Sequence, residues 1–336
     1  MSAASELVEE VVRDVLRAAW ARGDTPGGQA ATFREARELG WHLLGVDEGR
    51  GGVGGDLGDR LRLAELLGEH GCDGPYLEVN TAAVHLADPA EAEPAGVDPA
   101  AATAGEVAVI AADDYGAPNG RAYLDACGDV TRVTVAGREH LHGATPSPPM
   151  TVSTAGTALL PVTYTTGASV AGTQRAAEVR ADLDLLRCAR LAGAARTVAR
   201  LSARHAIERE QFGRPLIRFQ AVGALVAEQR AAAELAEAAV HGAATATPRQ
   251  RQPLLDGAVS VCHETAGTVA RLAHQTHGAM GTTHEHPLHR LTRRLWGWRD
   301  QLGADHARAT RLGAWAASVD EPALWECLRP ERDEPR

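Results

Sequence analysis

Two short segments hold the residues best suited to chemistry. The first, Arg209-Glu210-Gln211-Phe212-Gly213-Arg214-Pro215-Leu216-Ile217-Arg218-Phe219-Gln220, offers a guanidinium able to pair with phosphate or to stack, followed by an aromatic ring and a tight glycine turn. The second, Gln275-Thr276-His277-Gly278-Ala279-Met280-Gly281-Thr282-Thr283-His284-Glu285-His286-Pro287-Leu288, offers an amide and a backbone stripped of side chains. Such a backbone suits close approach by a pyrophosphate.

Other constellations point to simpler readings. Gly49, Gly51 and Gly54 formally satisfy GxGxxG, but a dinucleotide unit would continue into a second parallel strand, and Leu61 to Glu69 reads as helix instead. His284, Glu285, His286 and His289 crowd together, and imidazoles two and three apart can converge on one ion, but no carboxylate or thiol nearby is clearly a fourth ligand, so no metal is expected. His263 with Glu264 is an isolated pair on a helix, and no Ser-His-Asp or Cys-His arrangement is discernible.

The elements that must position these segments follow from periodicity. From Glu6 to about Leu86 apolar residues recur at helical spacing, as in Val8, Val11, Val12, Val15, Leu16 and Ala19, predicting an N-terminal helical domain over 1–88. Over 89–174 the texture changes to Val, Thr, Gly and Pro, with alternating runs at Glu106 to Ala111, Val130 to Val135 and Ala158 to Thr165, predicting a small β-domain. From Arg175 helical periodicity returns in longer stretches, predicting a helical bundle over 175–320 with breaks at Gly213 and Pro215 and at Thr247, Pro248 and Pro253. The tail over 321–336, with Cys327, Pro330 and Pro335, reads as irregular. The class is α+β, mostly α.

Composition narrows the function classes. The 336-residue chain is 44% hydrophobic, enough for a sizeable core. It contains no lysine; every basic side chain other than histidine is an arginine, dispersed among Asp and Glu at a net charge of −10, so no basic face awaits nucleic acid. Cys72, Cys127, Cys188, Cys262 and Cys327 are far apart, as expected of reduced thiols in the cytoplasm. Neither an apolar leader nor a membrane-spanning run is evident, so a soluble protein without a membrane partner is expected.

Both chemical segments resemble the C-terminal helical domain of the acyl-CoA dehydrogenase family, whose members carry RxQFGxPIxxFQ at one helix-loop-helix junction and QxxGGxGxTxExP at another. Gly40 to Gly55 is more loosely similar to the family's GG-x-G turn. The resemblance implies the acyl-CoA dehydrogenase fold, with an N-terminal helical domain, a shortened middle β-domain and a C-terminal four-helix bundle. It further implies that Arg209, Gln211, Phe212, Gln220, Gln275, Gly278 and Ala279 hold the adenosine-pyrophosphate half of a neighbouring subunit's FAD, with Ala279 a departure from glycine.

The family's chemistry needs a carboxylate to take the α-proton of the thioester while the flavin accepts hydride from the β-carbon. Counted without gaps, the usual glutamate position falls on Leu302, with Asp300 nearby, and the alternative position of some members falls on Leu183, between Asp182 and Asp184. A one-residue slip would bring in Asp182 or Asp184, whereas Asp300 has a shorter side chain that would point elsewhere; Asp184 and Asp300 are the candidate bases. The family's ring-contacting segments in the β-domain have no counterpart. The resemblance is therefore to the non-catalytic type of subunit in heterotetrameric actinobacterial acyl-CoA dehydrogenases acting on steroid side chains or other bulky acyl-CoA esters. In that reading a catalytic companion in an α2β2 assembly supplies the base. Two alternatives stand beside it: the same fold turned to non-redox biosynthetic chemistry, and a purely structural partner subunit.

Overall fold

The computed structural model describes residues 3–21, 26–87, 99–111, 119–125, 132–136, 141–146, 151–152, 158–165, 173–283, 285–303 and 305–328. Helices α1 (Ala3–Ala21), α2 (Pro26–Glu38), α3 (Leu57–Glu69), α4 (Tyr76–Leu86) and the short α5 (Pro99–Thr103) come first. Strands β1 (Val107–Ala111), β2 (Asn119–Asp125), β3 (Arg132–Ala136), β4 (Leu141–Pro146), β5 (Thr151–Val152) and β6 (Ala158–Thr165) follow. Then come α6 (Thr173–Glu208), the two-residue strands β7 (Glu210–Gln211) and β8 (Arg214–Pro215), α7 (Gln220–Ala244), α8 (Pro248–His277), α9 (Leu288–Gln301), α10 (Asp305–Ser318) and α11 (Glu321–Leu328).

The alternating apolar runs become a six-stranded sheet ordered β1-β3-β4-β6-β2, with β5 also paired to β6. Only β1 and β3 run parallel; β3–β4, β4–β6, β5–β6 and β2–β6 are antiparallel. Val107, Ala108 and Val109 of β1 are fully buried against α4 and α6, which explains an unbroken apolar strand without polar alternation.

The glycine run that mimics a dinucleotide fingerprint is a tight loop that begins in the 3-10 turn Glu48–Arg50 and leads into α3. Gly45 N–H donates to the Gly54 carbonyl at 2.7 Å and Gly54 N–H to the Val46 carbonyl at 2.9 Å. A side chain on Gly52 would lie 2.0 Å from the Val46 carbonyl oxygen. Asp56 then caps α3 reciprocally with Asp59, each backbone N–H donating to the other's carboxylate at 3.0 Å.

Two sequence expectations are corrected. Thr247 opens α8 through a capping box with Gln250, but Pro253 does not end the helix; it lies buried within it, losing one backbone hydrogen bond near the helix start, where the loss is least disruptive. The tail is also less irregular than expected. Residues 321–328 form α11, with Trp325 Nε1 donating to Glu321 one turn earlier at 3.4 Å, and residues 329–336 lie outside the described residues.

The bundle is α6, α7, α8 and α9, with α6 central: α3 packs on it from the N-terminal side and α7, α8 and α9 pack on it from the other. Small residues set the α3–α6 crossing. A Cβ on Gly68 would sit 1.8 Å from the Arg190 carbonyl oxygen, and one on Gly193 would sit 2.2 Å from that of Glu65. Each glycine thus receives the other helix's backbone, and no rotamer change relieves either contact.

Gly193→Ala should therefore destabilise the chain by about 2 kcal/mol or more. Gly313→Ala, on exposed α10 with nothing within 4 Å of the added carbon, should be neutral or stabilising by up to about 1 kcal/mol. Urea midpoints of the two variants against the parent check both.

Candidate functional site

The two segments singled out in the sequence sit at one end of the bundle. Helix α6 ends at Glu208, and the chain turns through the β7–β8 hairpin, in which Gln211 pairs with Arg214. Phe212 and Gly213 at its tip have φ of 52° and 76°. The left-handed region is ordinary for glycine but strained for a bulky side chain. The Phe212 ring is 93% exposed and meets Phe219 edge-to-face at 6.2 Å, while Arg214 lies over Phe219 at 4.2 Å. The strain thus holds an aromatic ring out in water, against the ordinary drive to bury it.

Helix α8 ends at His277, and Gly278 begins a 3-10 turn through Thr282. Gly278 has φ 60° and ψ −145°, a region essentially reserved for glycine. A Cβ there would meet nothing within 4 Å, so its surroundings leave the backbone open to approach from outside. Gly281 differs: a Cβ would press on Leu288 at 2.8 Å and on His277 at 2.9 Å, so packing alone accounts for it.

Arg209, Gln211, Phe212, Gln220, Gln275, Gly278 and Ala279 are all exposed. What joins the two segments is a contact that the sequence reading missed. The ring of His205, in the last turn of α6, stacks on that of His277 at 4.4 Å and 24°, and His286 meets His277 edge-on at 4.9 Å. In the sequence His286 stood in a rejected metal cluster and His277 in the second segment, but their contact with His205 went unnoticed because it comes from tertiary packing of helices far apart in sequence. His284 lies outside the described residues. Burial pushes the His277 imidazole down to about 4, with the neighbouring imidazoles adding to the effect.

The positions considered for a base lie elsewhere, all but Asp300 inside the molecule. Leu183 and Leu302 are buried at 0% and 1% exposure. Asp184 is held by Arg308 Nη2 at 2.6 Å, with Arg180 at 3.8 Å, and Arg308 also reaches Asp256 at 3.4 Å and the Leu302 carbonyl at 3.1 Å. Asp182 accepts both guanidinium nitrogens of Arg60, at 2.6 and 3.0 Å, and His85 Nε2 at 3.1 Å. Burial alone would push the Asp182 carboxyl up, but Arg60 and His85 outweigh it and hold it below the ordinary carboxylate range. Asp300 is half-exposed and pairs with its neighbour Arg299 at 3.0 Å. Between these sites Arg187 binds Glu78 at 2.8 Å and the Gln301 carbonyl at 3.0 Å, and Arg190 lies over Trp298 at 4.5 Å.

Among the described residues, Glu65, Glu237 and His241 bring ligand atoms within 4.8 Å of one another. Arg62 and Arg196 already neutralise the two carboxylates, at 2.8 Å to Glu65 and 2.6 Å to Glu237, so a cation there would face two guanidinium groups and gain little. No helix of the described residues is long and apolar enough to cross a membrane.

The chain is similar to known proteins in sequence and in fold. Residues 180–305 match the family described as "Acyl-CoA dehydrogenase, C-terminal domain". The chain is 27% identical over 283 residues to the acyl-CoA dehydrogenase IpdE2 of Mycolicibacterium smegmatis, covering 82% of this chain and 85% of that protein. The ChsE4-ChsE5 complex from Mycobacterium tuberculosis includes a chain similar in structure, with TM-score 0.78, 19% identity and coverage of 95% of this chain and 99% of that one. A Tcur3481-Tcur3483 steroid ACAD variant gives TM-score 0.75 at 20% identity, over 94% of this chain and 99% of that one.

Removing the Asp184 carboxylate leaves Arg308 buried with a weaker partner, so Asp184→Ala should cost about 3 kcal/mol. Asp300→Ala, at the solvent edge, should stay within about 0.5 kcal/mol. Chemical denaturation of the full chain distinguishes the two aspartates.

Proposed function

We propose that this chain, whose residues 180–305 form an acyl-CoA dehydrogenase C-terminal domain on the acyl-CoA dehydrogenase fold, is the non-catalytic subunit of a heteromeric FAD-dependent acyl-CoA dehydrogenase that desaturates a bulky acyl-CoA thioester. The observation that carries the reading is a contrast. The residues suited to gripping a dinucleotide are exposed together at one end of the bundle, whereas the positions suited to a base are buried leucines beside arginine-bound aspartates.

The exposed surface fits the adenosine-pyrophosphate half of a flavin dinucleotide. Arg209 offers charge-assisted donors to a phosphate, Gly278 leaves its backbone uncovered in a conformation that side chains disfavour, and Phe212 presents an unburied ring face. Gln211, Gln220 and Gln275 add exposed amides able to donate and accept. A bound flavin supplies the hydride acceptor for desaturation; this chain's residues bind and orient the dinucleotide's polar half and cover it from water. Removal of the α-proton falls to a carboxylate of the companion subunit. That assignment is favoured because Asp182 and Asp184 are already committed to guanidinium partners. A heterotetramer of the α2β2 kind and a steroid-derived acyl group fit the neighbours named above, one a two-protein complex and another a steroid ACAD.

The test is co-expression with an acyl-CoA dehydrogenase encoded beside this chain. The reading expects visible flavin absorbance in the co-purified complex and none in this chain alone. Arg209→Ala should strip flavin from the complex while leaving the melting temperature of the isolated chain unchanged, since the guanidinium is exposed. A complex that keeps its flavin after Arg209→Ala would instead make the chain a structural partner, and a colourless complex would favour non-redox chemistry on this fold.

A further inference from the structure

The imidazoles where the two segments meet have no part in the reading above, yet their rings touch one another across the ends of α6 and α8. His277 touches three elements at once. Its ring stacks on His205 of α6, meets His286 before α9, and its Cβ backs the Gly281 turn. Its Nδ1 donates to the Ala273 carbonyl at 2.8 Å, which leaves Nε2 bare, buried and without a hydrogen-bond partner. A second charge-sensitive ring lies alongside, since His274 Nε2 contacts Thr292 Oγ1 at 2.9 Å and its Nδ1 is also buried without a partner.

We propose that His277 is a positioning residue: its uncharged ring, clamped between His205 and His286, holds the Gly278–Thr282 turn beside the Arg209 hairpin so that both present one surface. A proton on Nε2 would have no acceptor in that pocket and would set a cation against two further imidazoles, a cost that burial magnifies.

The groups acting on His277 are His205 of α6, His274 of its own helix and His286 just before α9; behind them Glu208 and Arg209 act on His205, and His289 of α9 acts on His274 and His286. Burial pushes His205, His274 and His286 below the ordinary imidazole value as well, and Glu208 is the one acid acting on the group, through His205. The sign follows. An opened turn takes up a proton near the ordinary value of 6.5, whereas the closed turn takes it up only near 4. The opened form therefore binds more protons throughout that interval, and the clamp weakens as pH falls from 6.5 towards 4.

Its functional consequence rests on the flavin reading, but the clamp can be measured without flavin. Amide hydrogen exchange of the full-length chain, corrected for intrinsic rates, should show protection of residues 278–283 falling about fortyfold between pH 6.5 and 4.5. His277→Phe, which keeps a ring but cannot take a proton, should remove that pH dependence. His277→Arg should lose the protection already at pH 7. The inference is overturned if His277→Phe follows the parent's pH profile, or if a folded His277→Arg keeps residues 278–283 protected. Should His277→Arg fail to fold by circular dichroism, the parent and His277→Phe profiles decide alone. In the co-purified complex Arg209→Ala should release flavin with the 278–283 protection intact, so failure of the flavin reading and failure of the clamp give separate signatures.

Discussion

The backbone-to-backbone crossing of α3 and α6 sets the distances on which the rest of the structure depends. With Gly68 and Gly193 each receiving the other helix's carbonyl, the axes approach closely enough for charged side chains to bridge between elements with almost no slack. On one side of the crossing Arg62 and Arg196 draw Glu9, Glu65, Glu69 and Glu237 together. On the other, Arg60 meets Asp182 and Arg187 meets Glu78. Buried ion pairs add little net stability over an apolar filling, but they tolerate few alternative registers. Here they fix how the N-terminal helices dock on the bundle.

That docking has a functional side. In this chain the interior around Leu183 and Leu302 is filled by guanidinium–carboxylate contacts and by the Arg190–Trp298 stack. The proposed dinucleotide grip lies instead at the end of the bundle, where the last turns of α6 and α8 meet through two imidazole rings.

Much of this was legible in the sequence, for identifiable reasons. Helical periodicity survives in α6, α7 and α8 because one face of each is packed on the others, and the alternating run at Ala158 to Thr165 pairs as a strand as written. The two chemical segments were legible because their residues are consecutive. What was not legible depends on packing between distant residues. Nothing in the spacing of His205 and His277 announces that their rings touch, and nothing around Asp184 announces Arg308, whose guanidinium comes from a helix beyond the bundle. Pro253 misled because a proline near a helix start and a proline at a break look alike without coordinates.

The ion pairs described above share a chemical property beyond their geometry. Every one of their non-histidine cations is a guanidinium, and the chain has no lysine at all. Arginine stays protonated far above neutral pH and is a poor nucleophile, whereas a lysine amine is readily acylated by activated esters. In the proposed function, among acyl-CoA thioesters, the chain therefore offers no side-chain amine to modify, and acylation cannot erase the charges that dock its helices.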